Sequence, residues 1–89
     1  MRAIVSVIGK DKVGIIANVC TLLSNTNVNI LDINQTILQE FFTMTMLVDT
    51  SKCTISFTEL AASLAELGKK MELEIRIQHE DIFKSMHRI

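Results

Sequence analysis

The sequence contains no proline, tryptophan or tyrosine and only four phenylalanines in 89 residues. Surfaces that bind nucleic acid are basic, and sheets that bind RNA also present exposed aromatic side chains. Here nine Lys and Arg are balanced by ten Asp and Glu, and the pI is about 6.1. We therefore expect no nucleic-acid partner.

Metal ligands and catalytic groups are also scarce. Cys20 and Cys53 form no C-x-x-C pair and have no metal-site spacing, so we interpret them as reduced thiols. The histidines, His79 and His87, have acidic neighbours such as Glu80, but this pattern also fits a polar turn and a solvated helix end. We expect no metal, no cofactor and no catalytic activity.

No apolar run is long enough for a membrane span or a signal peptide. The N-terminal run over residues 3–8 is interrupted by Ser6 and ends at a polar loop. The chain also has no low-complexity segment or linker. We expect no membrane partner, a cytoplasmic location, and one domain over residues 1–89 in which residues 80–89 form a helical extension.

Apolar residues are more abundant than a small monomer needs. They make up 48% of the sequence, and the mean hydropathy is +0.34. A domain of this length buries only about 60–65% of its unfolded surface, so part of the apolar surface is expected to face a partner chain. This predicts a homodimer or a higher homo-oligomer.

The first half of the chain begins with a β-branched run and continues with helical spacing. We predict a strand over Arg2–Ile8 and a helix over Val13–Ser24, with Asp11 or Lys12 as its N-cap. Apolar residues occupy both parities of the strand, which predicts a central strand covered on both faces. The helix is expected to end at residues 25–27, where Asn tolerates a left-handed conformation.

Two further strands follow this helix. We predict them over Val28–Leu38 and Phe41–Asp49. Ile30 is out of phase with the later apolar residues of its strand, which indicates a bulge or a bend nearby. The connecting residues 39–40 are not favoured hairpin residues.

The second helix has a clear start signal. Ser56 and Glu59 form a capping box, so we expect the helix to begin at Ser56 and to loosen near Gly68. A strand alternating apolar and charged residues follows over Glu72–Gln78. The tail, Asp81–Ile89, has helical spacing and is predicted to dock as a short amphipathic helix.

The order of elements is β-α-β-β-α-β. It predicts an α+β, ferredoxin-like βαββαβ sandwich, in which a four-stranded antiparallel sheet carries two helices on one face. The short C-terminal helix is added to this plan.

The loop after the first strand is the best candidate site. Gly9 and Gly14 have the spacing of P-loop glycines, but Ile15 and Ile16 replace the Lys and the hydroxyl residue, which excludes a nucleotide-hydrolysing loop. Glycine permits positive φ and a close approach to amides at a helix N-terminus, where a carboxylate would fit. The same residues also suit a turn that has no ligand.

The loop over residues 9–19 and the following Asn27–Ile30 segment resemble the ACT domain, a small ligand-sensing module. The likeness is to the family's D-[RK]-P-G-[IV]-[IV]-A loop and its V-N-I strand start. Val13 departs from the family's usual proline. The tail is similar to that of small stand-alone ACT proteins of bacteria and archaea.

The resemblance implies a non-catalytic regulatory protein that binds an amino acid between subunits, with the loop of one chain facing the second strand of its neighbour. Carried over by position, the family's ligand contacts fall on six residues. They are Gly9, Asp11, Val13, Gly14, Ile15 and Asn29. The alternative is a dimeric interaction module that regulates a partner enzyme or a transcription factor without a ligand of its own.

Overall fold

The structure is a computed structural model that describes residues 1–81. Six elements follow one another along the chain. They are β1 (Arg2–Lys10), α1 (Ile15–Asn25), β2 (Asn29–Leu38), β3 (Phe41–Asp49), α2 (Phe57–Met71) and β4 (Leu73–His79). The predicted tail helix falls on residues 82–89, outside the described part of the chain.

The four strands form one antiparallel sheet in the order β2-β3-β1-β4. With its two helices, this is the predicted ferredoxin-like α+β fold. The core lies between the sheet and the helices. It contains Ala3, Val5, Val7, Ile15, Val19, Leu23, Val28, Phe42, Met44, Met46, Val48, Leu60, Leu64, Leu73 and Ile75.

The first strand is central, as predicted, because β1 pairs with both β3 and β4. We predicted that both faces of this strand are covered. Over residues 1–81 of a single chain, that prediction is wrong. Val5 and Val7 are fully buried under the helices, whereas Ile8, on the other face, is 53% exposed. Within residues 1–81, the second face of this strand is therefore only partly covered.

β1 also extends two residues beyond its predicted end, so Gly9 belongs to the sheet. It pairs with Phe42 on one side and Leu73 on the other. A Cβ at Gly9 would overlap the Leu73 side chain. Gly9 therefore serves close strand packing, which sequence spacing alone could not separate from a role in the loop.

The predicted start of α1 is wrong. The helix begins at Ile15, and its N-cap is Gly14, with φ 90° and ψ 2°, instead of Asp11 or Lys12. This left-handed conformation is open to glycine and unfavourable for other residues. The end of the helix is as predicted, because Asn27 adopts φ 62° just beyond it.

The bulge predicted near Ile30 is present in β2. Ile30 pairs with Val48 and Asp32 pairs with Leu47, so Leu31 is the extra residue. The Asp32 carboxylate accepts the Ile33 backbone N–H at 2.9 Å within this irregularity. The bulge returns the later apolar residues to the helix side of the sheet.

The unfavoured hairpin residues do form the turn between β2 and β3. Leu38 pairs with Phe41 across residues 39–40. Gln39 adopts φ 56°, a conformation that glycine or asparagine would take at lower cost.

The second helix confirms its capping box. Ser56 Oγ accepts the Glu59 N–H and Glu59 Oε1 accepts the Ser56 N–H, each at 3.1 Å. Contrary to the prediction, Gly68 does not loosen the last turn of α2. It is buried, and a Cβ there would lie 2.7 Å from the Leu73 carbonyl oxygen. Its small size lets α2 approach β4 closely.

Candidate functional site

The β1–α1 loop is tethered on two sides. The Asp11 backbone N–H donates to the Glu40 carbonyl at 2.8 Å, which joins the loop to the β2–β3 turn. Lys12 Nζ donates to the Met71 carbonyl at 2.6 Å and lies 3.8 Å from Glu72 Oε1. These contacts hold the loop in place although Val13 replaces the proline of the family motif.

One carbonyl group organises the start of α1. Gly14 O accepts the Asn18 backbone N–H at 2.9 Å and Asn18 Nδ2 at 2.7 Å. Because the carbonyl of Gly14 and the amide of Ile15 belong to one peptide plane, fixing the carbonyl along the helix points the amide out of its N-terminus. The capping position supplies no side-chain hydrogen bond.

Four of the six predicted site residues lie together in this loop and at the helix start. Asp11 and Val13 are exposed, whereas the side chain of Ile15 is in the core. Ile15 can therefore offer a ligand only its backbone amide. Gly14 leaves that amide accessible because it has no Cβ.

The other two residues lie elsewhere. Gly9 is within the sheet, and Asn29 is at the far end of β2, where it pairs with Asp49. Nine residue steps separate Asn29 from Leu38 beside the loop, a distance of about 30 Å along a strand. One chain therefore does not bring its own Asn29 to its own loop.

A groove surrounds Asn29 and has a volume of about 580 Å³. We call it the Asn29 groove. It is lined mainly by small or polar side chains from three segments of the chain. They are Cys20, Ser24, Asn27, Val28, Asn29, Ile30, Asp49, Ser51 and Lys52.

Hydrogen bonds shape two walls of the Asn29 groove. Asn27 Nδ2 donates to the Lys52 carbonyl at 3.0 Å. The Ser51 backbone N–H donates to Asp49 Oδ1 at 2.9 Å. This bond, followed by the bond from the Ser51 hydroxyl, lowers the pKa of Asp49 below its ordinary value. Asp49 is thus a charged wall residue near neutral pH.

The outer edge of the sheet is apolar. Five large apolar side chains on β2 and at its junction with β3 are exposed by 40% or more. They are Leu31, Ile33, Ile37, Leu38 and Phe41, and we call them the β2 edge patch. Val13 and Ile16, in the loop and the first turn of α1, are exposed as well. An edge strand of this kind is a template for pairing with another chain.

Sequence reasoning missed several residues that build these features. Asn18 lies one helical turn after Gly14, so its spacing was a usable signal for the hydrogen bond to the cap. Lys12 contacts Met71, which is distant in the chain and has no local signature. The groove combines the end of α1, the start of β2 and the loop after β3, and only the fold brings them together.

Two absences apply to the part of the chain that the structure describes. Over residues 1–81, no three His, Cys, Asp or Glu side chains are grouped so that they could hold a metal ion. In the same residues, no helix has the length and apolar character that a membrane crossing requires.

The fold and the loop define a small regulatory module of the ligand-binding type. The ACT domain family model matches residues 2–78, and the chain belongs to this family. It is similar over its whole length to a UPF0237 protein of Clostridium acetobutylicum, with 55% identity and full coverage of both chains. A UPF0237 protein of Methanocaldococcus jannaschii is 48% identical over 99% of this chain and 98% of its own.

The fold also has a similar experimental structure. An ACT domain protein from Streptococcus pneumoniae superimposes with a TM-score of 0.82 at 40% sequence identity, and the match covers 93% of each chain. The names of these relatives give the domain or the family.

Proposed function

We propose that this protein is a non-catalytic regulatory ACT protein that binds an amino acid at the interface of a homodimer. The observation that carries the proposal is the exposed β2 edge patch, which lies between the β1–α1 loop at one end of β2 and the Asn29 groove at the other. Pairing through this edge covers the patch and brings the two half-sites together.

The geometry of an antiparallel, two-fold pairing supports this arrangement. If two β2 strands pair about their centres, Asn29 of one chain lies opposite the partner's Leu38. The partner's Asp11 is then close by, because its N–H is bonded to the Glu40 carbonyl in the adjacent turn. Two-fold symmetry creates the same juxtaposition twice, so a dimer has two equivalent sites.

The chemistry of each complete site suits an amino-acid zwitterion. The outward amide of Ile15, at a helix N-terminus, favours the carboxylate. The Asp11 carboxylate and the Asn29 side-chain oxygen of the neighbouring chain favour the ammonium. Each charge-assisted hydrogen bond contributes about 1.5–3 kcal/mol, which corresponds to micromolar to millimolar dissociation constants for a few such contacts.

The oligomeric state is the first test. Light scattering is expected to give at least twice the 10.0 kDa mass of one chain. Ile37→Lys places a charge in the β2 edge patch and is expected to shift the protein toward monomer. Thr21→Lys, at an exposed position of α1, is the matched control and leaves the dimer intact. A monomeric wild-type protein at micromolar concentration would contradict the proposal.

Ligand binding is the second test. In a thermal-shift panel of the proteinogenic amino acids, a binding amino acid at a hundred times its dissociation constant adds about 2.7 kcal/mol to the stability of the dimer. Asp11→Ala and Asn29→Ala are each expected to weaken that response. If the dimer forms and no amino acid stabilises it, the ligand-free interaction module is the better account.

A further inference from the structure

The charges of the Asn29 groove indicate which amino acids this protein binds. We propose that the groove receives the side-chain carboxylate of an acidic amino acid and that Lys52 is the residue that selects it. The inference rests on the proposed function, because the partner's loop holds the backbone of the same ligand. It adds the ligand class, which neither the loop nor the family membership supplies.

The one carboxylate that lines the groove is already paired. Asp49 Oδ1 accepts the Ser51 N–H at 2.9 Å and is 3.3 Å from the Met1 amino nitrogen. A ligand group that only donates hydrogen bonds would have to compete with these partners. The Met1 ammonium offsets the negative charge of Asp49, so the charge that remains for a ligand in the groove is that of Lys52.

Two hydrogen-bond donors that line the groove are available to a ligand. Lys52 lines the groove and forms no ion pair with any residue of the described chain, 1–81. The side-chain amide group of Asn29 is also exposed in the groove, and it has no hydrogen-bond partner among those residues. A carboxylate is the acceptor that a lysine ammonium binds most strongly, since the hydrogen bond is charge-assisted at both ends.

The shape of the groove agrees with a short, polar side chain. Cys20 and Ser24 contribute small side chains on the α1 wall, which leaves space between that helix and the loop after β3. Asn27 fixes the opposite wall through its bond to the Lys52 backbone, so the position of Lys52 is set by the fold. Aspartate and glutamate are the amino acids with the matching chemistry.

The test compares acids with their neutral isosteres. On the wild-type dimer, L-glutamate or L-aspartate is expected to bind about tenfold more tightly than L-glutamine or L-asparagine, because one charge-assisted contact is lost with the amide. The difference is expected to shrink as the salt concentration rises. Titration calorimetry with the four amino acids measures both quantities.

Two substitutions test whether Lys52 is responsible for the preference for acids over amides. Lys52→Gln is expected to abolish the preference for the acid, because the acid and the amide then both meet a neutral donor. Lys70→Gln removes the same charge from the groove between the outer faces of the helices and is expected to leave the preference unchanged. The dimer mass is measured for both variants, so that a loss of assembly is recognised.

Four results would overturn the inference, and they differ in what else they overturn. If the amides bind as tightly as the acids, or if the preference survives in Lys52→Gln, the assignment of Lys52 is wrong. If a non-acidic amino acid binds best and Asn29→Ala weakens it, the inter-subunit site stands and only the ligand class is wrong. If no amino acid binds the dimer, the inference and the proposed function fail together.

Discussion

The two helices of this protein begin in opposite ways. At α2, Ser56 and Glu59 close the N-terminus by bonding to each other's backbone amides. At α1, the cap is Gly14, which supplies no side-chain hydrogen bond, and the first turn has no acidic residue. α2 is built for stability, whereas α1 leaves its positive end open at the surface.

The comparison indicates that the start of α1 favours access to its amides over local stability. A Ser, Thr, Asp or Asn cap contributes about 1 kcal/mol relative to alanine at the same position, and about a few tenths of a kcal/mol relative to glycine. Asp11 and Lys12 are close to the start of α1, yet the loop uses the Asp11 backbone and the Lys12 side chain to tether itself instead. The result is an open helix start held by two tethers, which is compatible with the proposed carboxylate site.

Among the variants that test this difference between the helix starts, Gly14→Val is expected to have the largest effect. The position has φ 90°, and a Cβ would lie 3.2 Å from Asn18 Nδ2. A β-branched residue in this conformation is expected to cost about 1–3 kcal/mol of stability. It is also expected to abolish the amino-acid response, because it covers the Ile15 amide. Chemical denaturation measures the first effect, and an unchanged free energy of unfolding would contradict the observed cap.

Ser56→Ala is expected to have the next largest effect, and only on stability. It removes the hydroxyl that accepts the Glu59 N–H and is expected to cost about 1 kcal/mol. Because α2 begins away from the loop, ligand affinity per folded dimer is expected to stay the same. A change in affinity without a change in dimer mass would show that the two helix starts are not independent.

The pH dependence of stability sharpens the comparison further. The backbone N–H of Ser56, followed by its hydroxyl, lowers the pKa of Glu59 below the ordinary value of 4.5. The resulting stabilisation is fully present above that value and is lost as the pH falls through the lower pKa of the folded state. The stability difference between wild type and Glu59→Gln is therefore expected to shrink below pH 4.5. A difference that grows on acidification would contradict this sign.

Asp11→Ala is expected to have the smallest effect on stability, within about 0.5 kcal/mol. Its exposed side chain is not the helix cap, and the tether to Glu40 uses the backbone N–H. Its effect on ligand binding is therefore free of a folding artefact. A loss of stability as large as that of Ser56→Ala would show that the carboxylate has a capping role in solution.

Much of the fold could be predicted from local patterns. The capping box at Ser56, the bulge after Ile30 and the exact bounds Phe41–Asp49 each depend on neighbouring residues, and the structure contains all three. The start of α1 could not be predicted, because Asp11 satisfies a capping preference that the tethered loop overrides. The role of Gly9 depends on its contact with Leu73, which is 64 positions away in the sequence.

The candidate site could be predicted only in part. The loop motif indicated Asp11 and Gly14, but the separation of Asn29 from them follows from the direction of β2 in the sheet. The Asn29 groove has no sequence signature, since its walls come from three segments that meet only in the folded chain. The position of Asn29 and the walls of the Asn29 groove therefore both depend on contacts between residues that are distant in the sequence.

A mixed dimer tests most directly whether the site lies between subunits. Asp11→Lys and Asn29→Lys each place a cation where the ligand ammonium is expected, and both positions are exposed. The probe is the amino acid that stabilises the wild-type dimer most in the panel. Each variant homodimer is expected to bind none of it. In the mixed dimer, one site carries both changes and the other carries neither, so calorimetry is expected to find one ligand per dimer, half the wild-type number. A mixed dimer that binds no ligand would contradict a site shared between two chains.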